Sequence, residues 1–163
     1  MTTLKINYRL KDAAQREALK QSVMSYDHEG LIKKYCYENE VTETEAMNAF
    51  TELKKFLFIC GVTSERLSPS VELDGIWHQF ILFTKDYMDF CTGYFNRIIH
   101  HFPDTEFTAE TKKANNVSYT RAYEIAEEEF GSLNPDYWIN PNFLNAANCK
   151  DDGGNCNSSC SQK

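Results

Sequence analysis

The chain has 163 residues, 42% apolar, 13% aromatic and 25% charged, a balance that supports one hydrophobic core and excludes wholesale disorder. Asp and Glu outnumber Lys and Arg by 24 to 17 for a net charge of −7, with no basic run, so the footprint of a nucleic-acid partner is missing. No stretch reaches the roughly 18 apolar residues of a membrane span, and Met1-Thr2-Thr3-Leu4-Lys5 does not open like a signal peptide, so no membrane partner and a cytoplasmic location are expected.

From Asp12 to about Lys34 the residues are rich in Ala, Gln, Leu and Lys. Ala14, Ala18, Val23 and Met24 fall near helical spacing, and Gly30 suggests a break, so one helix or two short ones are expected. Thr42 followed by Glu45 forms a capping-box pattern that opens the next helix. Ala46, Ala49, Phe50, Leu53, Phe56, Leu57 and Cys60 carry it on, with Gly61 as its stop signal.

Ser68 and Pro69 then read as cap and first position of a central helix over about residues 69–95. At about 100° per residue its apolar side chains, among them Leu73, Trp77, Phe80, Phe83, Tyr87, Phe90 and Cys91, cover an arc too wide for a surface helix. Asp74, His78, Lys85 and Asp89 share the narrower polar stripe. Other helices must therefore wrap this one.

Residues 97–102 read as a short extended piece ending at Pro103, and the polar stretch from Asp104 to Asn116 reads as a connection without a period. A last helix is marked by Ala122, Ile125, Ala126 and Phe130. Its Glu127-Glu128-Glu129 run reads as a solvated face, and Gly131 closes it. Asn134-Pro135 and Asn140-Pro141 are turn signals interleaved with Tyr137, Trp138 and Phe143, rings expected to dock on the bundle.

The fold class expected is therefore all-α, a helical bundle around a central hydrophobic helix. Residues 1–147 form a single helical domain and residues 148–163 a flexible tail rich in Asn, Ser, Gly and Cys. Cys36, Cys60 and Cys91 sit in helix-like apolar surroundings and read as core thiols.

Asp74 and His78, four residues apart, face the same side of their helix about 6 Å apart along its axis. The functional reading makes His78 a metal ligand or general base, with Asp74 orienting it; the bland reading is a surface i, i+4 pair. His100 and His101 are adjacent, and in an extended segment they point to opposite sides, so one of them can share a site with His78. His78, one of that pair and a carboxylate would satisfy the ligand count of a divalent-metal site. In the tail, Cys149, Cys156 and Cys160 have six and then three residues between them, unlike the paired C-x-x-C of structural zinc sites. They read as a soft-metal site for Zn(II) or Cu(I), a redox pair or a processed segment, against incidental thiols.

The run from Leu73 to Leu82, with Trp77-His78, Phe80 and Leu82, followed by Tyr87 and Cys91, resembles the glycine-rich domain-containing protein family. Tyr87 lies nine residues after His78 and Cys91 four after Tyr87, as in that pattern. Phe80 departs from it where some members carry a second histidine, and the Asn, Gly and Cys tail is similar to a short form of their Gly- and Cys-rich ends. The resemblance implies a helical domain and adds weight to Asp74 and His78.

Three functions follow as expectations. The first is a helical protein that binds a transition metal or a protein partner through Asp74, His78 and His100 or His101, and through the tail thiols. The second is an interaction module with structural histidines, docking a protein through its acidic surface and aromatic Asn-Pro segment. The third is a metal-dependent hydrolase or oxygenase, ranked last because no phosphate loop, nucleophile elbow or H-E-x-x-H helix occurs.

Overall fold

A computed structural model describes residues 4–143. The expected all-α fold is what these residues adopt. The six helices named here are α1 (Ala13–Met24), α2 (Glu29–Asn39), α3 (Glu43–Val62), α4 (Val71–Leu82), α5 (Thr84–Phe95) and α6 (Ala109–Phe130). Among the described residues no strand forms; Tyr8 and Thr63 make only an isolated antiparallel bridge where the N-terminal segment crosses the end of α3. The segment predicted as extended over residues 97–102 is irregular, because its amides find no neighbouring strand.

Local chemistry accounts for most helix ends. Thr42 and Glu45 form the reciprocal capping box that opens α3, and Gly131, at φ +71°, closes α6. The glycine at 61 is no stop signal, since α3 runs through it to Val62. A Cβ there would lie 2.3 Å from the Phe95 ring, so Gly61 exists to let α5 approach the backbone of α3.

The long helix expected over residues 69–95 is two helices. It begins at Val71, capped by Ser70 rather than Ser68, and it breaks at Phe83, whose ψ of 62° leaves the helical region. No Gly or Pro marks that break. Phe83 and Thr84 are weak helix formers, and the Phe83 ring packs 4.7 Å from the His28 ring, so tertiary contact decides the backbone. The most enclosed helix is α3, which touches each of the other five and buries Phe50, Leu53, Phe56, Leu57, Phe58 and Ile59. Of the three expected core thiols, Cys91 is buried while Cys36 and Cys60 are half-buried.

The stretch predicted as a connection before Asn116 is largely the first half of α6, which starts at Ala109 under a Thr108 cap. Its side chains are mostly exposed, so no apolar period betrayed it. Beyond α6, Trp138 is buried as expected, and its indole N–H donates to Glu52 Oε2 at 2.9 Å. Phe143, by contrast, is exposed. The acidic run at the end of α6 divides. Glu127 and Glu128 face solvent, whereas the Glu129 carboxylate is nearly buried, accepts from Tyr8 Oη, and pairs with Lys20 at 2.9 Å and Arg16 at 3.7 Å. This ion cluster joins α1 to α6.

Candidate metal centre

The polar stripe of α4 faces a groove of about 980 Å³ whose other walls come from residues 66–72, residues 100–107 and α6. Ser70 builds the near end: its Oγ accepts the Leu73 amide at 3.1 Å and donates to the Tyr137 carbonyl at 2.7 Å, tying the start of α4 to the Asn-Pro segment. Asp74 follows in the first turn and His78 one turn later, so helix periodicity alone sets them side by side.

His101 arrives from a different element. His101 Nε2 donates to Asp74 Oδ1 at 2.6 Å, His78 Nε2 stands 3.7 Å from Asp74 Oδ2, and the two imidazole rings lie 4.5 Å apart. One ligand-type atom from each of Asp74, His78 and His101 falls within 4.8 Å of the others. His100 also lines the groove, but its ring is exposed near Phe102, 6.1 Å between centroids, and it does not join the cluster. Successive side chains outside a helix diverge, so holding His101 against α4 turns His100 away. Cys149, Cys156 and Cys160, with the proposed tail, lie outside the described residues.

The placement of His101 rests on a buried relay. Trp77 Nε1–H donates to Tyr87 Oη at 3.0 Å, and Tyr87 O–H donates to the Ile99 carbonyl, two residues before His101. Arg97 adds a second tether through its guanidinium, which donates to the Cys60 carbonyl of α3. The Trp77 ring then meets the His101 imidazole edge-on at 4.6 Å. Burial first, then the neighbouring Cys91, pushes the Tyr87 phenol well above its ordinary value, so it remains a neutral donor and acceptor. The helix pattern ranked Trp77 and Tyr87 as packing residues; their polar tips make them positioning residues for His101.

Sequence reasoning passed over two further polar groups. His28 caps α2: its Nδ1 accepts the Leu31 amide at 2.9 Å, which leaves the proton on Nε2 to donate to Asp86 at 3.1 Å. A histidine followed by Glu29 at a helix start was the available signal. Lys54 is buried, and its ammonium donates to the Met24 and Tyr26 carbonyls at 2.7 and 2.8 Å, closing the end of α1. It lies at a second groove of about 680 Å³ between α2 and α3. Burial lowers its pKa, and those two carbonyls account for its position.

Fold and site together define a helical protein with a two-histidine, one-carboxylate cluster in an open groove. The chain belongs to the UCP032817-like family, whose profile matches residues 15–150. The match corrects the glycine-rich domain assignment, which rested on the stretch from Leu73 to Cys91 and the tail composition. In this chain Trp77 and Tyr87 are hydrogen-bonded to each other and Cys91 is buried in the core, so each has structural work of its own. Neither a curated relative nor a solved structure matches the chain. No helix among the described residues is long and apolar enough to cross a membrane.

Proposed function

We propose that this protein binds a divalent transition-metal ion, Zn(II) being the first choice, through Asp74, His78 and His101. The observation that supports this reading is the convergence of three ligand-type atoms within 4.8 Å, drawn from α4 and from a segment tethered separately to the core. Ligands at the usual 2.0–2.2 Å from a tetrahedral ion stand about 3.3 Å apart, so the 2.6 Å Asp74–His101 contact would open by less than about 1 Å. Two imidazoles and a carboxylate suit Zn(II) or a similar borderline ion; Cu(I) prefers thiolates and belongs with the tail cysteines. Three protein ligands would leave the fourth tetrahedral position to water or a ligand, the arrangement of a binding or catalytic site rather than a closed structural one.

The same 2.6 Å bond favours a second reading, in which Asp74 and His101 form a structural pair and the groove receives a protein partner. Elemental analysis of the tag-free full chain, incubated with Zn(II) and dialysed, separates the two. Near-stoichiometric zinc is expected, retained when Cys149, Cys156 and Cys160 are changed to Ser and lost in the His78→Ala, His101→Ala double variant. No zinc in the parent chain, or zinc lost only with the cysteines, overturns the proposal.

A further inference from the structure

The walls facing the metal ligands suggest what would complete the coordination. Of the ten large apolar side chains exposed among the described residues, four line this one groove: Val71, Phe102, Phe107 and Ile139. Phe102 is 83% exposed and Phe107 82%, a costly display of apolar surface unless something covers it. Trp77 and Tyr119 extend the apolar lining inward. The groove thus has a charged, ligand-bearing wall and an aromatic wall, and its volume of about 980 Å³ falls in the range of small-molecule sites.

Charge narrows the class further. A divalent ion held by two neutral imidazoles and one carboxylate keeps a single net positive charge, which one anionic oxygen group neutralises. Apart from the ion's own ligands, the lining contains one permanently cationic side chain, Arg66, against Glu72 and Asp104, with Asp104 held by the Asn115 side-chain amide at 2.7 Å. That balance opposes polyanions such as nucleotides and tolerates a monoanion seated on the metal. His78 is 55% exposed and lines the groove, so an ion bound there would be reachable from this space.

Building on the metal reading, we propose that the groove binds a small monoanionic organic acid that coordinates the ion through a carboxylate oxygen while its aromatic or branched apolar body packs on Phe102 and Phe107. The probes are two α-hydroxy acids with one shared head group, mandelate carrying a phenyl ring and lactate a methyl group.

The full chain is loaded with Co(II), its uptake is counted by equilibrium dialysis, and each acid is titrated against the visible cobalt absorption. Both acids should perturb the spectrum, with mandelate binding at least about tenfold more tightly than lactate. Phe102→Ser and Phe107→Ser, at exposed positions outside the core, should keep cobalt and erase most of that preference. Cobalt that binds while its spectrum ignores both acids overturns this inference and leaves the metal site standing. Equal affinities for the two acids overturn the apolar part of the class. A chain that takes up no cobalt ends both.

Discussion

Asp74 and Glu129 are both carboxylates met by several partners, and the partners decide what each can do. Glu129 is nearly buried and faces Arg16 and Lys20, cations that stay charged across the ordinary pH range, together with the Tyr8 hydroxyl. Asp74 is more open and faces two imidazoles, which carry lone pairs when neutral. The first carboxylate is saturated by two cations and a hydroxyl and joins two helices. The second stands among groups that can turn to an ion. Burial alone would have ranked Glu129 the more interesting residue; the chemistry of the neighbours reverses the order.

The contrast is broken most directly at its two centres. Glu129→Gln should cost about 2–4 kcal/mol by leaving two cations facing a neutral amide, read as a lower urea midpoint, with zinc uptake unchanged. Asp74→Asn should do the reverse, lowering zinc affinity by about 100-fold or more in a competition assay while shifting metal-free stability by no more than about 1 kcal/mol. Exchanged outcomes would mean that Glu129 supports the groove and that Asp74 is a structural tie.

Tyr87→Phe sharpens the comparison, because it leaves every proposed ligand in place. The buried indole N–H of Trp77 loses its acceptor and the Ile99 carbonyl its donor, at an expected cost of about 1–3 kcal/mol. Zinc affinity should also fall, by about 10-fold, because His101 is then held less well. Lost stability with unchanged affinity would confine the relay to the core.

The smallest effect concerns a third carboxylate, again closed by a permanent cation. Arg121 meets Glu65 through two hydrogen bonds of 2.5 and 2.7 Å, and the backbone N–H of Asn7 donates a third at 3.0 Å. The Arg121 hydrogen bonds first, against some desolvation, hold the Glu65 carboxyl below its ordinary value. As pH falls the unfolded chain therefore takes up this proton first. The stabilisation is complete above the ordinary carboxylate range near pH 4–4.5 and is lost as pH drops through the folded value. Glu65→Gln should lower stability by about 1–2 kcal/mol at neutral pH and flatten the acid limb of a Tm series between about pH 3 and 7.

These residues also show what a reader of the sequence alone can reach. The capping box at Thr42 and Glu45 and the end of α6 at Gly131 were legible because a few neighbouring residues decide them. So was the pairing of Asp74 with His78, which helix geometry enforces. The break at Phe83, the interior role of Gly61 and the choice of His101 over His100 were not, since each depends on an element distant in the chain: His28, Phe95 and the Trp77–Tyr87 relay. Glu129 was misread for the same reason, because an acidic triplet carries no mark of which member will meet Lys20.

The edge-on contact between Trp77 and His101 also gives the molecule an optical property. The chain holds only two tryptophans, and the rings of both lie against Phe56, so their excited states are close enough to share energy. Replacing Trp138 with Phe isolates Trp77 as the emitter, 4.6 Å from an imidazole whose charge changes when it takes a proton or a metal. An indole's emission responds to charge at that distance, which places a built-in fluorescent reporter one ring away from the proposed ligand that most needs watching.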